Sequence, residues 1–278
     1  MVTPLTFTLI AFALSVGAGV LGSLLGLGGG IVVVPALTLL LHVDIRFAIG
    51  ASIVSVIATS SGAAAAYVRE GMTNLRVAMF LELGSTAGAL SGAYLAGILP
   101  VRTLYLVFGV VMGYSALAMF RNRHRQLAAV VPADPLADRL RLHSSYTDDA
   151  LGHEVEYRVT GSKLGLTLMY VAGLTSGLLG IGSGALKVPA MDLAMRLPIK
   201  VSTATSNFMI GVTAAASAGV YFARGDVDPF VAGPVAMGVL IGALAGSRLL
   251  GRLRSSVIRT VFVVVLLWVS LQMLLKGV

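Results

Sequence analysis

The lysine at position 187 sits where a charge is expensive. It lies three residues past the cluster Gly180-Ile181-Gly182-Ser183-Gly184 and two before Pro189, inside an apolar stretch running from Leu164 to Met195. A lysine at the centre of a membrane span costs about 2.5–3.5 kcal/mol on insertion scales, so it must pair or face water. At the start of a short helix its charge adds to free amide donors and to the positive end of the helix dipole, which together suit an anion. The competing role is a buried ion pair, with Glu82 in the third apolar run or Asp192 five residues on as the partner. The two roles are compatible if an anionic substrate displaces the carboxylate.

Other polar groups can join such a site. Gly28, Gly29 and Gly30, with Gly182, Ser183 and Gly184, can offer backbone amides to an oxyanion, since no Cβ blocks approach at a glycine. Close packing of small residues is the alternative, and it is the better reading for Gly84, Gly88 and Gly92 and for Gly238, Gly242 and Gly246. Ser52, Ser55 and Thr59 share one helical face. Ser206 and Thr213 match Ser52 and Thr59 further along, with Thr205 and Asn207 added. Hydroxyls and an amide can hold an anion without a charge that binds it too tightly; their alternative is hydrogen bonding between helices. Ser52, Ser206, Asn207 and Thr205 therefore join Lys187 and the two glycine clusters as candidate substrate ligands, with Glu82 as the charge partner.

The elements that must position these residues follow from an internal duplication. Gly26-Leu27-Gly28-Gly29-Gly30 with Pro35 returns 154 residues later as Gly180–Gly184 with Pro189, and between Ala18 and Gly97 the ungapped match holds 26 identities in 80 positions. The chain is 57% hydrophobic and 12% charged, against about 25% charged in soluble domains. Apolar runs long enough to span ~30 Å of hydrocarbon are Leu5–Leu41, Ala48–Val68, Val77–Leu99, Thr103–Phe120, Leu164–Met195, Val201–Ala223, Phe230–Ser247 and Val257–Leu275. The first and fifth are too long for one straight span, and the glycine clusters divide each into a full-length piece and a half-helix. Such a piece is tolerated in lipid where its freed backbone groups face protein or a cavity. Broken helices in matching positions of two repeats point to a transporter's binding site.

The expected fold is thus an all-α polytopic membrane protein of two inverted repeats of about four spans each. Residues 1–120 form the first repeat, 121–162 a linker and 163–278 the second. Orientation comes from the basic residues, which concentrate on the cytoplasmic side. If each broken region makes an even number of crossings, 15 Lys/Arg fall inside and 4 outside; a single crossing each gives 11 and 8. The first split is favoured, with both termini outside and the linker cytoplasmic. Within the linker, His153–Thr160 alternates polar and apolar residues and reads as a strand, paired with His143–Thr147 across a turn at Asp148–Gly152. A small hairpin serving as a passive connector is expected.

Several classes are excluded. The net charge of +8 would suit nucleic acid, but the basic residues sit between spans, so no nucleic-acid partner is expected. Cysteine is absent, and the four histidines lie in loops or at span ends, so no metal and no cofactor are expected. No P-loop and no Ser–Lys or Ser–His pair at helical spacing is present, which argues against an enzyme.

The repeated glycine cluster with its proline, the stretch Leu197-Pro198-Ile199-Lys200-Val201-Ser202-Thr203-Ala204-Thr205-Ser206-Asn207 and the Gly84/Gly88/Gly92 ladder resemble the sulfite exporter TauE/SafE family, also called the toluene sulfonate uptake permease family. The resemblance runs from about Leu5 to Leu275. Ser183 departs from it, glycine being commoner there. It implies a multi-pass inner-membrane carrier of small sulfur anions such as sulfite, sulfonates or sulfoacetate. The residues themselves support an anion, through Lys187 and the half-helices, without singling out sulfur. A small carboxylate and a channel-like anion pore stay open as alternatives, as do a proton or sodium as coupling ion and the oligomeric state.

The charge distribution generates the first prediction. A single cysteine introduced near Arg252 is expected to react with an impermeant thiol reagent only from the cytoplasmic side. Labelling only from outside would overturn the inverted arrangement.

Overall fold

The computed structural model describes residues 4–121, 132–148, 152–250 and 255–278. The basic residues Arg123, Arg125, Arg252 and Arg254 counted above, and the middle of the Asp148–Gly152 turn, lie outside the described residues. Helix α1 (Pro4–Leu25) stops before a four-residue break and α2 (Gly30–Pro35) starts after it. Then come α3 (Ile45–Arg69), α4 (Leu75–Ile98), α5 (Val101–Arg121) and a short α6 (Pro135–Arg139). Strands β1 (Ser144–Asp148) and β2 (His153–Tyr157) pair antiparallel. The second half repeats the pattern: α7 (Ser162–Leu179), α8 (Gly184–Pro189), α9 (Ile199–Ala223), α10 (Pro229–Leu250) and α11 (Ser255–Gly277). Among the described residues α1, α3 and Pro229–Leu249 of α10 are long and apolar enough to cross a membrane by composition, and shorter apolar helices include Gly30–Leu40, Val101–Leu117 and Val263–Gly277. The fold is helical apart from the hairpin.

Local chemistry explains both breaks. Gly26, Gly28 and Gly29 all have positive φ, as do their counterparts Gly180, Gly182 and Ser183. Ser183 adopts a left-handed conformation at φ 57° and ψ 5°, although left-handed backbone costs a side-chain-bearing residue roughly 1–2 kcal/mol. The departure from glycine thus leaves the backbone path intact. After each break the short helix meets a proline, Pro35 or Pro189, and runs into a wide π-helical turn at Ala36–Leu40 or Ala190–Ala194. Proline lacks the N–H that would close the ordinary turn, and the wider turn is a common way to absorb that loss.

The halves pack with matching partners. α1 lies along α10, and α4 along α7. Residue pairs across α3 and α9, Val56 with Ile210 and Ser60 with Asn207, run in opposite order, so these repeat mates are antiparallel. The mates α5 and α11 are antiparallel too, with Arg102 bonded to Gly277 O and Ser270 to Gly109 O. α4 and α9 run parallel, Asn74 meeting Thr205 and Glu82 meeting Thr213.

The glycine ladders let backbones touch. A Cβ on Gly88 would overlap the Tyr170 carbonyl on α7, and one on Gly242 the Val16 carbonyl on α1, whereas Gly17 faces open space. Overpacking a tight interface costs typically 1–3 kcal/mol or more. Gly88→Leu is therefore expected to lower the thermal midpoint of the detergent-solubilised protein by several degrees, while Gly17→Leu leaves it in place. Equal midpoints for the two variants would contradict the close α4–α7 approach.

Candidate functional site

The two breaks lie against each other at the centre of the molecule. A Cβ on Gly184 would overlap the Gly26 carbonyl, and one on Gly30 would come within 3.1 Å of Ile181 Cα. A helix end leaves carbonyls without partners, and side chains supply them here. Ser52 Oγ donates to Gly180 O and Ser206 Oγ to Gly26 O, both at 2.8 Å, each crossing from one repeat to the other. Tyr67 donates to Ser23 O at 3.0 Å and its mate Tyr221 to Gly177 O at 2.5 Å. Ser52 and Ser206, foreseen as substrate ligands, are in this conformation engaged in joining helices. Gly28 and Gly182 face one shared apolar pair, Val56 and Ile210, which fills the space between the breaks.

Lys187 occupies the next layer. Its side chain is fully buried, and Nζ donates to Thr213 Oγ1 at 2.5 Å and stands 3.6 Å from Glu82 Oε2. Of the two carboxylates considered, Glu82 rather than Asp192 faces it. Thr213 donates to Glu82 Oε1 at 2.6 Å, Thr86 donates to the same oxygen at 2.9 Å, and Ser85 Oγ lies 3.0 Å from Thr213 Oγ1. Glu82 Oε2 is buried and accepts no hydrogen bond. A lysine, a carboxylate and three hydroxyls are thus gathered where α4, α8 and α9 meet. Removing one member of a buried pair leaves the other charge uncompensated, at a cost of about 3–5 kcal/mol. Ser85 and Thr86 were not anticipated as members. Their position three and four residues after Glu82, on the same side of an apolar helix, was the available signal.

The remaining candidates divide. Asn207 Nδ2 donates to Ser23 O and Thr203 O, at the first break, and its Oδ1 is buried without a partner. Thr205 accepts from the Asn74 amide at 3.0 Å. It lies eight residues before Thr213 on α9, about 12 Å along the axis, so it belongs to the end of the bundle and not to the Lys187 cluster. Val33, the repeat mate of Lys187, is buried and apolar. The lysine therefore has no charged counterpart in the first repeat, and the centre joins Lys187 and Thr213 of the second repeat to Glu82 of the first.

At that end of α9 the linker is docked, not free. Leu142, Tyr146, Tyr157 and Val159 share one core with Val77, Leu81, Met191 and Met209. Asn74 Nδ2 donates to Leu142 O and Tyr157 Oη. Lys200 Nζ meets Asp148 Oδ1 at 2.7 Å with both side chains buried, and Tyr146 donates to Asp148 Oδ2. Burial and the adjacent Asp148 carboxylate push the Tyr146 hydroxyl upward, and burial does the same at Tyr157, so both stay protonated donors. The two strands pair antiparallel, with β1 one residue later and β2 shorter than the stretches read from the sequence; the docking was not foreseen. Among the described residues no His/Asp/Glu group gathers to hold a metal.

Opposite, at the α3 start, Arg46, Ile49, Leu104, Tyr221, Arg224 and Asp226 line a cavity of about 260 Å³. Arg224 pairs with Asp226 at 2.7 Å and lies over the Tyr221 ring.

Comparison with known proteins fits this duplicated frame. The chain is 29% identical over 277 residues to "Probable membrane transporter protein YunE" of Bacillus subtilis (strain 168), covering 97% of this chain and 98% of that protein. It is 27% identical over 232 residues to YdhB of the same organism, with 83% and 85% covered. A third relative, from Xylella fastidiosa (strain 9a5c), is 28% identical over 247 residues, with 87% and 84% covered, and carries the same kind of name. No solved structure matches. The family model for the sulfite exporter TauE/SafE covers residues 11–273, and the chain belongs to this family of membrane transporters.

Proposed function

We propose that this chain is a secondary carrier of small anions in the inner membrane, with sulfur oxyanions or organosulfonates as the substrate class. The observation that carries the reading is Lys187, a fully buried cation balanced by one carboxylate and ringed by hydroxyls. In the empty state Glu82 is its counter-ion. An entering oxyanion takes the place of Glu82 against Nζ, and Thr213 and Thr86, freed from the carboxylate, turn their hydroxyls toward the substrate. Glu82 then needs a proton or a sodium ion, which couples the anion to a second ion. The amides of the Gly28–Gly30 and Gly182–Gly184 breaks contribute positive ends from both sides as the centre opens.

The antiparallel mates α3/α9 and α5/α11 support an inverted repeat, in which an in-plane pseudo-twofold relates two halves that rock about a fixed site. Each broken segment then acts as a half-helix returning within the membrane, which leaves the termini outside and the linker in the cytoplasm. Val56 and Ile210 filling the centre favour a carrier with closed states over a continuous pore.

Two measurements test this. Purified protein titrated with sulfite, sulfate, methanesulfonate and acetate is expected to bind at least one of the sulfur anions, and Lys187→Met to weaken that binding tenfold or more, about 1.4 kcal/mol per factor of ten. Val33→Met is expected to act only through added bulk, and unchanged affinity in well-folded Lys187→Met protein would remove the site. The second is a double-mutant cycle on stability. Lys187→Met alone leaves Glu82 buried without its cation, and Glu82→Gln added to it is expected to restore most of the lost stability. Additive losses would mean the two residues are not coupled.

A further inference from the structure

The two ends of the α3–α9 crossing are built to the same plan and finished differently. Arg46, in the first turn of α3, and Lys200, in the first turn of α9, are repeat mates. Because α3 and α9 are antiparallel, these cations stand at opposite ends of the molecule. At the Arg46 end the plan is open. The cavity there is floored by Ile49, whose side chain would be struck by a Cβ on Gly180, and by Tyr221, which holds the last carbonyls of α7. Its floor packs against the second break. Its equivalent at the other end is framed by Lys200, Thr203 (the mate of Ile49) and Tyr67 (the mate of Tyr221, holding the last turn of α1).

There the linker intervenes. Lys200 is 1% exposed, against an exposed Arg46, and Asp148 of the hairpin supplies its carboxylate at 2.7 Å. Between this end of α9 and the first break lies a band of buried polar atoms without hydrogen-bond partners: Thr73 Oγ1, Ser202 Oγ, Thr203 Oγ1 and, at the break itself, Asn207 Oδ1. Buried hydroxyls and amides are rarely left unpaired, and a cluster of them beside a buried lysine marks a place where water or a ligand belongs part of the time. Ser202 and Thr213 are eleven residues apart on α9, close to three full turns, so they share a face about 16 Å apart along the axis. Ser202 is thus in line with Thr213 of the Lys187 cluster.

We propose that this band is the inner half of the anion path, and that the linker hairpin is its gate, with the Asp148 carboxylate occupying on Lys200 the position a departing oxyanion takes. The inference rests on the carrier reading above for the identity of what passes. The gate is an electrostatic latch: a tethered anion competes with the substrate for one cation, and the hairpin lifts when the substrate wins. Glu70, exposed where the Arg46 end has Arg224, leaves Lys200 as the buried cation on this side, so the latch residue is also the one that receives the anion. The seals at the hairpin edges, Asn74 to Leu142 and Tyr157 and the Thr160 amide to Met195 O, are ordinary hydrogen bonds that water can replace.

The test uses the absence of cysteine and needs no transport. Thr203→Cys in the full chain, reconstituted in vesicles, is expected to resist an impermeant methanethiosulfonate from the linker side. Adding Asp148→Asn is expected to raise its rate of modification at least tenfold. Asp148→Lys, which sets two cations together, is expected to raise it similarly, and Asp148→Lys with Lys200→Asp to return it to the protected value. An unchanged rate in both single variants overturns the gate, as does failure of the exchanged pair to restore protection. Should Asp148→Asn not fold, the exchanged pair alone decides, since a folded, protected double variant requires the latch. In a parallel titration with sulfate as the probe, Asp148→Asn is expected to gain a binding event that Lys200→Met removes; no gain overturns the competition for Lys200. If the latch results hold while Lys187→Met leaves anion binding intact, the carrier site fails and the gate stands.

Discussion

A helix cannot be broken inside an apolar body unless its abandoned carbonyls are met, and that constraint organises this molecule. Each break frees the last carbonyls of a long helix, and an unsatisfied polar group in hydrocarbon costs several kcal/mol. The remedy is reciprocal: Ser52 in one repeat donates to Gly180 O in the other, and Ser206 returns the bond to Gly26 O. Tyr67 and Tyr221 meet carbonyls of their own repeat, but among the described residues Gly26 O and Gly180 O are met only from the other. The two halves are therefore bound at the breaks by these two hydroxyl bonds, by the Asn207 amide on Ser23 O and by an apolar contact between Val56 and Ile210. Bonds of that kind net only about 0.5–1.5 kcal/mol each, strong enough to define a resting state and weak enough to exchange.

Much of this frame was legible beforehand because it depends on local rules. Gly28, Gly182 and the two prolines announce their breaks through backbone geometry alone, and the Gly84/Gly88/Gly92 spacing announces a close helix face. Ser183 shows the limit of such rules: a residue that should disfavour a left-handed turn takes it because the surrounding fold repeats the path of Gly29. Polar side chains inside the spans were harder. Ser52 and Ser206 have the chemistry of ligands and, in this conformation, the role of helix caps; only three-dimensional neighbours decide between the two. The Lys187–Glu82 contact could be named as one of two pairings, but the choice over Asp192 depends on how α4 and α9 lie side by side, which pattern does not encode. The docked linker was illegible for the same reason, since Asp148 and Lys200 are each unremarkable until the hairpin folds back.

Departures from the repeat carry the specific chemistry. Lys187 stands against Val33, Glu82 against Ala236, and Lys200, capped by Asp148, against an exposed Arg46. A duplicated scaffold supplies two equivalent breaks and an antiparallel crossing of α3 and α9. One charged substitution in each copy, Glu82 in the first and Lys187 in the second, then places a single pair on one side of the centre, and the linker covers one end. Symmetry of backbone with asymmetry of charge suits a carrier, because the two end states must resemble each other in packing yet differ in what they hold.

The charge placement also orders the steps. With the Arg46 cavity open and the Lys200 end covered, an anion entering the proposed carrier meets a positive surface first, where Arg46 lines one cavity with an Arg224 already neutralised by Asp226. Such a surface attracts without holding tightly, since exposed charges are screened. The next cation inward is Lys187, where burial strengthens every interaction and where the resident carboxylate must yield. The last is Lys200, again occupied by a carboxylate. Two of the three cations are thus matched by an internal anion while empty, which avoids the cost of an unpaired buried charge and keeps the site from retaining what it binds. In the proposed carrier an anion progresses by replacing one carboxylate and then another, and each replaced carboxylate is positioned to push it onward when it returns.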